Sequence, residues 1–190
     1  TDSEKLAMAE AAQASLVLDD DRIATLGRAA PSTSSLAPKQ DVASSALLAV
    51  LSTSGTTGRP KGVMLARSAF VASALASADN LGWSEHERWL LCMPLAHAGG
   101  LSILTRCLIA RTTIVLAERF EAEETLRVIE RHRVTMLSVV PTMLRALLDS
   151  DDRDVLSRLR VVLVGGAAAP ASLLEECARR RIAALTTYGL

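Results

Sequence analysis

Short apolar runs recur along this chain, separated by segments of helical length, and that alternation restricts the fold more than any other feature. The runs are "SLVLD" (15–19), "ALLAVL" (46–51), "GVMLA" (62–66), "WLLCM" (89–93), "TTIVLA" (112–117), "MLSVV" (136–140), "VVLVG" (161–165) and "AALTTY" (183–188). Each has the length and aliphatic content of a strand. Between them the pattern predicts helices: one capped by Ser68 and running to Asn80, one after Gly100 to Ala110, one from Glu121 to His132, and one starting near Pro170. The helix at Glu121 carries acids in its first turn and bases in its last, which suits the helix dipole. Met143, Leu144, Leu147 and Leu148 form one apolar stripe and Leu173, Leu174 and Cys177 another. Strand and helix in alternation imply an α/β fold, a largely parallel sheet flanked by helices, with residues 1–190 forming a single α/β piece. In such sheets ligands lie beyond the carboxyl ends of the strands. The Ser-, Ala- and Pro-rich stretch 29–45 reads as an exposed connection.

Charge and composition exclude several classes of function. Lys plus Arg and Asp plus Glu both number 21, so no global field draws the chain to nucleic acid or to an acidic membrane. An anionic ligand must be recruited locally. No apolar run approaches the roughly 18 residues of a membrane span, and "TDSEKLAMAEAAQ" lacks the charged and apolar regions of a signal peptide. The expectation is a soluble protein of the cytoplasm. Cys92, Cys107 and Cys177 are widely spaced in apolar surroundings and read as reduced packing residues. His86, His97 and His132 form no pair at ligand spacing, which argues against a zinc site.

The chemistry concentrates in "VLSTSGTTGRPKGVML", 50–65. A phosphate loop needs free backbone N–H groups, small residues that let the backbone approach, and hydroxyls or a cation to complete the coordination. Gly55, Gly58 and Gly62 provide the backbone, Ser52, Thr53, Ser54, Thr56 and Thr57 the hydroxyls, and Lys61 a compact charge. It is not the loop of the P-loop enzymes, because Pro60 precedes the lysine and Gly62 follows it. Pro60 fixes its own backbone and removes a donor, so Lys61 is expected to leave along the next strand. A Ser/Thr/Gly segment is more often a linker, but a linker has no reason to lie between two apolar strands.

"STSGTTGRPKGV" resembles the signature loop of the adenylate-forming superfamily, which comprises acyl-CoA synthetases, luciferases and peptide-synthetase adenylation domains. The resemblance implies that Thr53, Ser54, Gly55, Thr56, Thr57, Gly58 and Lys61 hold the β- and γ-phosphates of ATP, with Thr56 or Thr57 touching Mg2+. "MPLAHAGGL" (93–101) is similar to the family segment whose histidine lies where carboxylate and α-phosphate meet. That makes His97 catalytic together with Lys61, and Gly99 a neighbour of the acid. Ala96 stands where many members have an aromatic residue. In "VVLVGGAAAP", Gly165, Gly166 and Ala167 match the Gly-Gly-small segment that lies against adenine. "TTYGL" begins the family's Tyr-Gly-x-Thr-Glu motif, so Thr187, Tyr188 and Gly189 would cover the opposite face of the base. Gly99 and Gly100 are read as permitting a tight turn around His97.

From "GGLSILTR" through "SVVPTML" to "LLEECARRRIAALTTYGL" the chain looks most like one branch, the o-succinylbenzoate:CoA ligases of menaquinone biosynthesis. There the "SVVPTML" segment borders the acyl pocket, making Ser138, Val139 and Pro141 neighbours of the substrate. The implied reaction converts a carboxylic acid with ATP to an acyl-adenylate and transfers the acyl group to CoA. His97 would orient a carboxylate that needs no deprotonation at neutral pH. Two other readings stay open, another aryl- or acyl-CoA synthetase and a non-catalytic nucleotide-binding module. The resemblance also implies that the Thr-Glu pair, the ribose-binding aspartate and the C-terminal lysine-bearing domain are absent from this chain. It is therefore expected to be an internal piece of the N-terminal AMP-binding domain, whose open sheet edges favour a homo-oligomer. The purified 190-residue chain is expected to form no succinylbenzoyl-CoA from ATP, the acid and CoA, and product detected by chromatography would refute this.

Overall fold

The computed structural model describes residues 43–53 and 61–188, with the side chains of Thr53 and Lys61 outside that description. The predicted strand at 15–19, most of the 29–45 connection and residues 54–60 lie outside the described residues. The chain divides into two compact units, residues 1–68 and 69–190.

In the first unit β1 (Leu47–Thr53) and β2 (Lys61–Ala66) pair antiparallel, with Ser52 opposite Gly62 and Thr53 opposite Lys61. A parallel return needs a crossover of a dozen or more residues, and 54–60 cannot supply one. The glycine-bearing loop therefore joins two antiparallel neighbours, whereas the sequence reading placed it at the end of a strand in a parallel sheet. Lys61 does open the following strand, as Pro60 suggested. The next helix, α1 (Arg67–Leu81), begins one residue before the expected cap, so Ser68 lies inside its first turn. The N–H groups of Arg67 and Ser68 donate to the carbonyls of Ala46 and Ser44, both at 2.9 Å. With those donors satisfied by the preceding turn, no capping hydroxyl is required.

The second unit is built on five parallel strands in the order β4-β3-β5-β6-β7: β3 (Arg88–Leu91), β4 (Thr113–Leu116), β5 (Met136–Val139), β6 (Val161–Val164) and β7 (Ala184–Thr186). Side chains alternate across the sheet and create two cores. Leu90, Leu137, Val139, Val162 and Val164 face α3 (Ala122–His132), α4 (Pro141–Ser150) and α5 (Ala171–Arg179). Trp89, Leu91, Met136, Val161 and Leu163 face the opposite way, toward Ile103 and Cys107 of α2 (Ala98–Ala110) and toward Leu81 and Trp83. The strand tails Met93, Ala117 and Val140 fall just beyond the ladder. Among the described residues no helix is long and apolar enough to cross a membrane.

Glu121 caps α3 through its carboxylate, which accepts from the N–H of Glu124 at 2.7 Å and, more weakly, from that of Glu123 at 3.4 Å. At the opposite end of the connections the chain turns back to the sheet through Arg111, Arg133 and Arg181, all left-handed at φ 56, 50 and 57°. Glycine is the usual residue there, which is why these turns carry no obvious sequence mark. The same edge holds an ion pair with a buried acid and an exposed base: the Glu87 carboxylate accepts from Arg160 Nε at 2.6 Å and from Thr135 Oγ1 at 2.5 Å. Arg160 also donates to the carbonyls of Leu81 at 2.6 Å and Gly82 at 3.1 Å, tying the end of α1 to β6.

A left-handed backbone costs an ordinary residue about 1–2 kcal/mol, partly offset by the greater freedom glycine loses on folding. Arg111→Gly and Arg133→Gly should therefore each raise unfolding stability by about 0.5–1 kcal/mol in urea titrations. A lowered midpoint would show that the arginine side chains contribute more than their backbones cost.

Candidate functional site

Because the five strands are parallel, every carboxyl end lies on one edge of the sheet, and the predicted site residues of this unit cluster there. Beyond β3 the chain turns at Pro94 and enters α2 with His97 in the flanking extended conformation, φ −108° and ψ 149°. The His97 N–H donates to the Pro94 carbonyl at 3.2 Å and its carbonyl accepts from Leu101 N at 3.1 Å. Its imidazole makes no capping bond and is exposed. The backbone is thus fixed while the ring stays exposed.

Gly99 and Gly100 lie inside the first turn of α2, and neither has positive φ. Their expected role in a tight turn is replaced by close packing. A Cβ on Gly100 would fall 2.8 Å from the Met93 carbonyl oxygen and closer still to that of Pro94, while one on Gly99 would collide with the Met93 methyl group. At Gly100, where the neighbours are backbone atoms, the helix start can rest on the strand end only without a side chain, whereas at Gly99 the flexible Met93 side chain could move aside.

The ends of β5, β6 and β7 are stitched together by main-chain bonds. Gly165 N donates to the Val139 carbonyl at 3.1 Å and Thr187 N to that of Val164 at 2.8 Å. A Cβ on Gly165 would strike Thr187 Oγ1, and one on Gly166, which has φ 77°, would lie 3.0 Å from Val140 Cγ1. Val139, Gly165, Gly166 and Thr187 are therefore brought together. The Val139 side chain belongs to the core, and Pro141 is buried at the first position of α4, where a missing N–H costs nothing. Ala167 is exposed and Tyr188 is 89% exposed just past β7. Ser54, Gly55, Thr56, Thr57, Gly58 and Gly189 lie outside the described residues, as do the side chains of Thr53 and Lys61.

One residue that sequence reasoning missed stands in a cleft of about 490 Å³ lined by Ser73, Ser77 and Asn80 of α1, Arg106 of α2, Leu163 of β6 and Thr187. Arg106 Nη2 donates to Ser73 Oγ at 3.3 Å, and its guanidinium carbon lies 5.8 Å from the centre of the Trp89 ring. Its Nε is buried without a hydrogen-bond partner. Burial lowers its pKa from the ordinary arginine range, because the charged form loses hydration. No described carboxylate forms an ion pair with it. The available signal was that Arg106 is the only charged residue of α2. Nearby, the Ser138 hydroxyl accepts from Trp89 Nε1 at 3.1 Å.

The cysteines behave as packing residues. All three are buried free thiols, and burial pushes the Cys92 thiol up to about 11. Among the described residues no group of three or more His, Cys, Asp or Glu could hold a metal ion.

A model of the AMP-binding enzyme family matches residues 1–190. This chain belongs to the AMP-binding enzyme family. A 2-succinylbenzoate–CoA ligase of Bacillus licheniformis is 51% identical over 141 residues, which are 74% of this chain and 29% of that relative. An o-succinylbenzoate coenzyme A synthetase of Bacillus subtilis, solved with ATP and magnesium ion, is similar with a TM-score of 0.74 at 42% identity, over 78% of this chain and 31% of that one. The same synthetase with its acyl-adenylate intermediate gives 0.69 at 44% identity, over 73% and 28%. The chain spans 29% of the length of the B. licheniformis relative that it matches.

In this member of the AMP-binding enzyme family the Gly165–Thr187 contact makes a direct test of the sheet edge. Gly165→Ala should cost about 1–3 kcal/mol from the forced contact. Adding Thr187→Ala, which removes the obstructing Oγ1, should restore at least half of that loss by thermal and urea unfolding. No recovery would place the role of Gly165 elsewhere.

Proposed function

We propose that this chain holds ATP and a carboxylic acid for an AMP-forming acid:CoA ligase, and that the acid is 2-succinylbenzoate. The observation that carries the reading is the Arg106 guanidinium, half-buried and without an ion-pair partner among the described residues, lining a cleft with Ser73, Leu163 and Thr187, on a chain 51% identical to a 2-succinylbenzoate–CoA ligase. This acid has two carboxylates. One is activated, and the other remains an anion that needs a counter-charge away from water. Arg106 supplies it, with the Ser138 hydroxyl alongside.

The reaction balances without an oxidant. A carboxylate oxygen attacks the α-phosphorus of ATP, the bond to the β-phosphate oxygen breaks, and pyrophosphate leaves. The CoA thiol then attacks the acyl carbon and AMP departs with its oxygen. Lys61 and the backbone donors of Thr53 to Gly58 neutralise the phosphates, and His97 orients the attacking carboxylate. Gly165, Gly166 and Ala167 border one face of adenine, and Thr187, Tyr188 and Gly189 the other. Gly99, Ser138, Val139 and Pro141 border the acid, with Val139 and Pro141 acting as wall rather than as polar contacts. Thr56 and Thr57 offer hard hydroxyl oxygens to Mg2+, which when bound offsets phosphate charge.

A plain fatty acid would leave Arg106 without its counter-charge, which disfavours the reading as a fatty acyl-CoA synthetase. The outer strands β4 and β7, with exposed Leu116 and Leu185, support self-association. The absence of a membrane-spanning helix among the described residues is compatible with work in the cytoplasm.

Calorimetric titration of the 190-residue chain tests the assignment. Lys61→Ala should weaken ATP binding about tenfold or more, the scale of a lost charge-assisted contact. Arg106→Ala should weaken 2-succinylbenzoate by a similar factor while leaving benzoate nearly unaffected. Tighter binding of decanoate than of 2-succinylbenzoate by the unaltered chain would overturn the choice of acid.

A further inference from the structure

Trp89 is 1% exposed, so it touches neither solvent nor any ligand that stays in the cleft. It nevertheless contacts two polar groups of the acid site. The indole N–H reaches diagonally across the sheet to Ser138 Oγ at 3.1 Å, and the ring lies under the Arg106 guanidinium at 5.8 Å. A second tryptophan, Trp83, meets the ring edge-on with centres 6.4 Å apart, which fixes the plane of the indole.

Each contact has a chemical consequence. A hydroxyl that already accepts from an N–H has its proton left to give. Ser138 is thereby biased toward donating, and among the described residues no acceptor takes that proton. Arg106 has only donors, and one of them, Nε, has no partner. The ring face favours a guanidinium lying over it and substitutes for a carboxylate, which would cancel the charge. Two donors that rest on the same indole, one at its N–H and one at its face, favour an anionic oxygen as a shared partner.

We propose that Trp89 is a positioning residue for the acid cleft, holding Ser138 as a hydrogen-bond donor and seating the Arg106 guanidinium, so that the cleft takes a second carboxylate on the substrate. The proposal rests on the reading of this cleft as the acid site, but it assigns the selectivity to a buried side chain that never meets the acid.

The test uses the 190-residue chain with 2-succinylbenzoate as probe and benzoate as the acid lacking the second carboxylate. Trp89→Phe keeps a ring beneath Arg106 and removes the N–H. It should weaken 2-succinylbenzoate about tenfold, the scale of one hydrogen bond, and leave benzoate and ATP within twofold. Trp89→Phe combined with Ser138→Ala should be no weaker than Ser138→Ala alone, because both break the same link. A spectroscopic readout covers the case in which Trp89→Phe fails to fold. In the unaltered chain, saturating 2-succinylbenzoate should move the Trp89 indole N–H resonance and spare that of Trp83, and Ser138→Ala should move the same resonance without ligand.

Additive losses in the double variant, or a Trp89 resonance indifferent to Ser138→Ala, would overturn the positioning role while leaving the acid site intact. If Arg106→Ala and Ser138→Ala both bind 2-succinylbenzoate as the unaltered chain does, the reading of the cleft fails and this proposal fails with it.

Discussion

Parallel pairing of five short strands is the constraint on which the rest of the second unit depends. Strands buried on both faces must be covered twice, and each return to the starting edge must travel through a helix. The result is a division of labour between the sheet's edges. Every strand delivers its following residues to one side, so His97, Val140, Gly166 and Thr187 become neighbours of that edge though they are far apart in the chain. No single loop has to contain the chemistry. The glycine pairs then serve the assembly in two ways, one by allowing α2 to start against a strand end and the other by letting neighbouring tails touch.

The electrostatic character of the cleft beside α2 follows from the lack of any carboxylate paired with Arg106 among the described residues. A buried guanidinium is normally paired, and elsewhere in this chain arginines do find carboxylates, as Arg160 does with Glu87. Arg106 has a serine and an aromatic face instead. Such surroundings hold the position of the charge without consuming it. On the proposed reading, the cleft is prepared for an anion before binding, which lowers the reorganisation that binding requires.

Much of this architecture could be read from the residues. The apolar runs at 112–117, 136–140 and 161–165 contain the observed strands and the run at 89–93 covers all of β3 but Arg88, because strands buried on both faces leave long aliphatic signatures. The acids and bases of α3 marked its ends through the dipole. What escaped was set by tertiary neighbours. Ser68 looked like a cap, but carbonyls of a preceding turn already satisfy the first N–H groups of α1. Gly99 and Gly100 looked like a turn, yet their smallness answers to Met93 and Pro94. Arginines at the left-handed helix exits carry no pattern that distinguishes them from surface charge. Within the candidate site, the family-like motifs singled out His97, Gly165 and Tyr188, whereas Arg106 and Trp89 stand out through contacts that no spacing rule encodes.

The Glu87–Arg160–Thr135 cluster has a consequence for how such a scaffold can diversify. It locks β3, β5, β6 and the tail of α1 to one another at the edge where these strands begin. A framework clamped at its base can exchange the turns at its rim, one at a time, without the strands losing their alignment. New acids can then be accommodated by altering what stands on the rim, while the clamp itself stays the same.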